Sequence, residues 1–224
     1  MTSPFDQSRY QVRFEWGVDG LDRLAASDIV VIVDVLRFSS TVTVAVEAGR
    51  TVPLDESAHA VSLNGAAVAA RAEASGATVL VGCLRNASAV AEAVVAEQVR
   101  RAERTSIAVI AAGELPGDAD ADHASHAATQ SRTAMRFAVE DLLGAGAIID
   151  ALSTLGLDHT SPEAAVAGEA FRGLRRATRH LLTASGSGQE LLDRDLRDDV
   201  LAAANVDDLT VVPMLRDGAF VAIE

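Results

Sequence analysis

Three short, almost unbroken apolar runs constrain this chain most: Asp28-Ile29-Val30-Val31-Ile32-Val33, Thr78-Val79-Leu80-Val81 and Ile107-Ala108-Val109-Ile110-Ala111. A strand with one wet face alternates apolar and polar residues, whereas a strand covered on both faces does not need to. Each run is far shorter than the roughly 20 apolar residues that a membrane-spanning helix requires. Alanine-rich stretches lie between and after them, with helices predicted over 41–48, 65–74, 87–104, 134–152 and 163–182. Strands alternating with helices predict an α/β fold, a three-layer α/β/α sandwich around a mainly parallel or mixed sheet.

The two ends differ from this middle. Tyr10-Gln11-Val12-Arg13-Phe14-Glu15-Trp16 alternates with period two and reads as an antiparallel or edge strand. Residues 209–215 and 219–223 flank Arg216-Asp217-Gly218, which predicts a C-terminal β-hairpin, and Pro213 predicts an edge or a bulge for its strand. The 224 residues fit a single α/β domain over 1–224, with room for two lobes. Residues 114–132, rich in Asp, Ala, His and Ser without periodicity, read as a flexible polar loop. Its Asp118-x-Asp120-x-Asp122 spacing resembles a calcium loop. His123 stands where that loop needs glycine and Thr129 where it needs glutamate, so the calcium reading is rejected.

Composition narrows the chemistry. There are 32 acidic and 19 basic side chains, a net charge of −13, and every basic residue is arginine. Without lysine there is no Schiff base, no lysine-bound pyridoxal phosphate and no phosphate loop of the G-x-x-x-x-G-K-[ST] kind. Any phosphate site must use arginine, backbone amides or a metal. The acid excess argues against nucleic acid and anionic lipid as partners. The single Cys83 has no disulfide partner and no zinc companion, and the first 20 residues lack a basic-then-apolar leader. A soluble, cytoplasmic protein is expected.

The segment richest in chemistry is Val33-Asp34-Val35-Leu36-Arg37-Phe38-Ser39-Ser40-Thr41. A buried strand ends in a carboxylate, and a short connection then leads into a helix, at the sheet edge where open parallel sheets bind ligands. Ser39 or Ser40 is expected as the N-cap, leaving helix amides to attract an anion. Arg37 can grip a phosphate or carboxylate with two parallel hydrogen bonds. Asp34 is placed either to hold Mg²⁺ or to act as a nucleophile. A scheme with a second aspartate two residues on is a poorer fit, because Leu36 stands there.

Glu140-Asp141, early in a predicted helix, point in directions about 100° apart, so only one need face a site. One of them could complete a Mg²⁺ site with Asp34. Gly144 and Gly146 weaken that helix unless something approaches its backbone closely. Asn64-Gly65 reads as a turn, and Asn86, followed by Ser88, as a helix cap after a buried strand. Cys83 reads as a small buried residue.

These segments, taken in order, resemble the motifs of the 2-phosphosulfolactate phosphatase (ComB-like) family. The matching stretches are Phe14-Glu15-Trp16-Gly17, residues 33–41, Leu63-Asn64-Gly65, residues 81–91, residues 139–148, and the tail at Ser185 to Gly188, Asp199-Val200 and Val212-Pro213. The resemblance implies an α/β/α, Mg²⁺-dependent phosphatase that cleaves 2-phospho-3-sulfolactate or a similar small phosphorylated hydroxy acid. Carried onto this chain, it implies catalytic roles for Asp34, Arg37 and Ser40. It implies substrate contacts from Ser39, Thr41, Asn64, Gly65, Asn86 and Ser88, and metal ligation by Asp34, Glu140 and Asp141. Two stretches depart from the pattern. Only Leu54 to Val61 stand where the family carries a longer Gly-Glu and Gly-Phe-Asp segment, and the loop after Gly113 is longer than usual. The alternative reading is therefore a catalytically impaired member that binds a small anion or serves a structural role. A homodimer is compatible with an exposed apolar helix face, although no pattern specifies one.

Overall fold

The strand β2 (Ile29–Val33) is buried at every position, as its composition requires. It lies between two largely apolar strands, β4 (Thr78–Gly82) and β5 (Ile107–Ala111), and runs parallel to both. The computed structural model describes residues 3–55, 63–115 and 135–223. Within these residues a seven-stranded sheet runs in the order β1-β5-β2-β4-β6-β7-β3, completed by β1 (Val12–Trp16), β3 (Val52–Pro53), β6 (Pro213–Arg216) and β7 (Ala219–Ala222). The first four strands are parallel, and β6, β7 and β3 continue antiparallel.

Alternate residues of β2 enter two separate cores, because successive side chains point to opposite faces. Val30 and Ile32 pack with α1 (Gly17–Arg23), α2 (Phe38–Glu47) and α3 (Leu63–Glu73). Ile29, Val31 and Val33 pack with α4 (Ala87–Arg101), α5 (Val139–Thr154) and α6 (Pro162–Leu174). Three short helices extend that second layer: α7 (Thr178–Ala184), α8 (Gly186–Asp193) and α9 (Arg197–Ala203). The fold is thus the expected α/β/α sandwich with a mixed sheet, and β6 and β7 form the expected C-terminal hairpin. Asp217 and Gly218 both have positive φ at its tip, the conformation a tight hairpin favours.

Several local expectations are corrected. β1 is an edge strand but pairs in parallel with β5, because the chain crosses over before β5 forms. Its period-two pattern reports one-sided apolar packing, not antiparallel pairing; Arg13 is buried by donating to the carbonyls of Tyr10, Ala25 and Ala26. Pro213 lies in an interior strand, not at an edge or bulge. It is tolerated because it is the first residue of β6, whose ladder with β4 is the pair Leu80 and Met214. The helix expected over 163–182 is interrupted by a 3-10 turn at Arg175–Ala177. The glycines of α5 do admit close neighbours: a Cβ on Gly144 would lie 2.6 Å from Val35, and one on Gly146 would lie 2.2 Å from the Ala167 carbonyl. The Asp118 to Thr129 calcium comparison and most of the polar loop fall outside the described residues. So does the shortened segment beyond Asp55.

Candidate active site

From β2 the chain moves to β4 on one side and returns as β5 on the other. The carboxyl ends of β2 and β5 therefore border the switch point where open α/β sheets take ligands. Asp34 follows β2 directly and is buried. Its Oδ1 accepts the Phe38 amide at 3.1 Å and its Oδ2 accepts the Gly65 amide at 3.1 Å. Asp34 thus ties together the starts of α2 and α3; the N-cap position of α2 is Arg37, which makes no side-chain cap bond, and not the expected Ser39 or Ser40. Helix α2 begins at Phe38, so both serines sit inside its first turn. Ser39 Oγ accepts the Asp34 amide and donates to the Ile32 carbonyl, while Ser40 Oγ donates to the Val35 carbonyl. Thr41 is exposed on the same helix.

Gly65 lies in the first turn of α3, so Asn64-Gly65 is a helix start rather than a free turn. A Cβ there would fall 2.7 Å from Asp34 Oδ2 and 2.7 Å from Phe38 Cβ. Glycine is needed for the close approach of α3 to the carboxylate.

The first turn of α5 brings Glu140 and Asp141, both buried, to the same place. As expected for adjacent helical residues, they do different things. Asp141 Oδ1 accepts the Val35 amide at 2.7 Å and its Oδ2 accepts the Gly113 amide at 2.9 Å, so it clamps the loops that leave β2 and β5. Glu140 Oε2 is buried with no hydrogen-bond partner, and Asn64 Oδ1 shares that condition. Buried polar atoms are normally satisfied, and an unpartnered carboxylate oxygen calls for a cation or a donor.

Glu114, which sequence reasoning missed, completes a group of four carboxylates. Burial, then the charge of Asp34, pushes its carboxyl up to about 7; Glu140 adds to this, and a 3.2 Å hydrogen bond from Ser187 Oγ opposes it. Burial, followed by the charges of Asp34 and Glu140, likewise holds the Asp141 carboxyl well above the ordinary range. A usable signal existed: Glu114 follows β5 at the sheet edge much as Asp34 follows β2. It was obscured because it opens the polar loop. Arg136 was missed for the same reason; it pairs with Glu114 across the other end of that loop.

The remaining candidates separate. Arg37 lies at the start of α2, half-buried, with one guanidinium nitrogen 3.7 Å from Asp199. Asn86 is fully buried; its Oδ1 accepts the Cys83 amide and its Nδ2 donates to the Val81 and Val211 carbonyls, so it holds the turn after β4 instead of capping α4 with its side chain. Ser88 lines a separate cleft of about 230 Å³ with Glu92, Asp150 and Phe171. Cys83 is buried, and burial pushes its thiol up, as expected for a packing residue.

Glu114 and Asp141 keep a proton in the fold at pH values where the unfolded chain has lost it. Stability must therefore fall as pH rises from the ordinary carboxyl range toward 7. For Glu114, discounted for partial exposure, the effect is about 1–2 kcal/mol. We expect the metal-free unfolding midpoint to drop by about 3–6 °C between pH 5 and pH 7.5, and Glu114→Gln to flatten that slope. A wild-type midpoint that does not fall over this range would argue against carboxylate crowding.

Fold and site together define an α/β protein that gathers carboxylates at the ligand-binding edge of a largely parallel sheet. The family model for 2-phosphosulpholactate phosphatase matches residues 54–218, more than half of the 224-residue chain. The chain belongs to that family. The matched stretch includes Glu114, Glu140 and Asp141, while Asp34 and Arg37 precede it. A curated relative from Symbiobacterium thermophilum, described as a probable 2-phosphosulfolactate phosphatase, is 34% identical over 92 residues. The alignment spans 40% of this chain and 39% of that relative. Among the described residues no helix is long and apolar enough to cross a membrane.

Proposed function

We propose that the protein hydrolyses a small phosphorylated hydroxy acid of the 2-phosphosulfolactate type, with one Mg²⁺ held by Asp34 and Glu140. The observation that carries this reading is the buried, unpartnered Glu140 Oε2 beside other carboxylates at the switch point. Among the described residues no three His, Cys, Asp or Glu side chains form a metal cage. Magnesium keeps several waters and takes one or two carboxylates together with substrate phosphate, so the proposed pair Asp34 and Glu140 offers enough protein oxygens for it. The hydrogen bonds that Asp34 accepts from the Phe38 and Gly65 amides are compatible with ligation, since each carboxylate oxygen can accept more than once.

When bound, the ion would neutralise charge on the transferring phosphoryl group. The chain's own residues supply position. The Phe38 and Gly65 amides fix Asp34, and Asp141 fixes the loops on either side. Arg37 would bind a phosphoryl oxygen from the α2 side, at the cost of its long contact with Asp199. In this reading Asp141 acts by positioning. Ser39, Ser40 and Asn86 shape the loops, and Gly65 admits the approach of α3.

The test is phosphate release from a panel of phosphorylated hydroxy acids with and without Mg²⁺. Release that requires the ion, together with a higher unfolding midpoint in Mg²⁺ at pH 7.5 than without it, is expected. No release from any ester, alongside retained ion or anion binding, would favour the non-catalytic binding protein to which the short 54–61 stretch points.

A further inference from the structure

We propose that Arg136 is a specificity-determining residue that receives a second oxyanion of the substrate, a carboxylate or sulfonate on the carbon skeleton bearing the phosphoryl group. The proposal deepens the phosphatase reading above and depends on it for the identity of the ligand. Arg136 is fixed beside the carboxylate group by its backbone: its amide donates to the Glu114 carbonyl at 2.6 Å, and the Glu114 amide donates to its carbonyl at 3.0 Å. Its side chain lies over Gly186, with Nη2 3.0 Å and Cζ 3.6 Å from where a Cβ on that residue would sit. Gly186 has no positive φ, so its backbone does not demand glycine; the absence of a side chain leaves room for the guanidinium. The next residue, Ser187, donates to Glu114.

Among the described residues no carboxylate pairs with the Arg136 guanidinium, whereas Arg85 is held by one and Arg101 and Arg172 by two each. The floor of the site is the opposite case, four crowded acidic side chains, Asp34, Glu114, Glu140 and Asp141, which offer an anion no attraction unless a cation comes with it. A substrate with a second negative group must therefore turn it toward the rim. With no lysine in the chain, that rim position falls to arginine. Arg37 follows β2 in the chain, and Arg136 is bridged to Glu114, which follows β5, so an arginine is rooted beside each of the two strand ends that border the site. A guanidinium accepts either a planar carboxylate or a sulfonate through paired donors.

The test compares three esters: 2-phospholactate, 2-sulfoethyl phosphate, and isopropyl phosphate, which lacks a second anion. Wild-type protein should favour the first two. In Arg136→Gln the ratio of their kcat/KM to that of isopropyl phosphate should fall about 30-fold, chiefly through KM, and Arg136→Lys should recover part of the loss. Gly186→Ala, which displaces the guanidinium without removing charge, should move the ratio in the same direction. A ratio unchanged within about twofold in Arg136→Gln overturns the proposal, and a drop confined to one ester identifies which oxyanion is read. Calorimetric binding of sulfolactate separates this from the phosphatase reading. If no ester is hydrolysed, that reading fails, yet the subsite stands if sulfolactate binds wild type and binds Arg136→Gln at least tenfold more weakly. If sulfolactate binding is absent or unaffected, the subsite falls too.

Discussion

Glu140→Gln is expected to lower magnesium-dependent phosphate release about a thousand-fold in kcat/KM, a loss of ~4 kcal/mol of transition-state stabilisation. The same substitution should raise the metal-free unfolding midpoint by about 2–4 °C, the shift that ~1 kcal/mol gives in a chain of this length. The two effects have one origin. Glu140 is buried in the first turn of α5, its Oε2 has no partner, and its charge raises the pKa of Glu114 and Asp141. Glutamine keeps the shape and removes the charge, so repulsion falls while the proposed cation would lose a ligand. Steady-state kinetics and thermal unfolding in chelator would measure both. Activity within tenfold of wild type would take Glu140 out of the chemistry, and a lowered midpoint would mean that the carboxylate has a stabilising role in the fold.

Asp141→Asn should act in the opposite sense on stability. Asp141 accepts the Val35 amide with one oxygen and the Gly113 amide with the other, from a fully buried position. An asparagine side chain offers one acceptor and one donor, so an amide would be left facing another amide. The expected cost is about 2–3 kcal/mol, which lowers the midpoint by about 4–10 °C. These two amides set the loops that carry Asp34 and Glu114, so kcat should fall as well, by roughly 10–100-fold. Chemical denaturation together with kinetics at saturating substrate would test both parts. An Asn variant as stable as wild type would show that the loops do not depend on this clamp.

The parts of the fold legible in sequence were those fixed by burial on both faces. Val31 and Val109 belong to strands buried at every position, and Leu80 to one buried at all but its first residue, Thr78. Strand direction was less legible. Alternation in β1 records which side is covered, and Arg13 satisfies its guanidinium on nearby carbonyls that no pattern discloses. The site divided in a similar way. Asp34 was visible because a carboxylate ending a buried strand is informative locally. The distinction between Glu140 and Asp141 required knowing which oxygens meet the Val35 and Gly113 amides. Glu114 and Arg136 were hidden because their pairing joins the two ends of a long polar stretch. Asn64-Gly65 carried a turn signal for a steric reason, the need for α3 to come within hydrogen-bonding distance of Asp34.

The position of β5 between β1 and β2 has a consequence for the order of assembly. β1 and β2 are consecutive in the chain, yet they do not pair with each other; β2 takes β4 on one border, while its other border and β1 wait for Ile107–Ala111. During synthesis the amino-terminal half therefore emerges with two unpaired strand borders and a space reserved for a strand not yet made. Loop closure over such separations slows folding and leaves those borders open to wrong partners. The carboxylates of Asp34, Glu114 and Glu140 are brought together only after that insertion, so their mutual repulsion arises late, when the surrounding sheet is already in place to hold them.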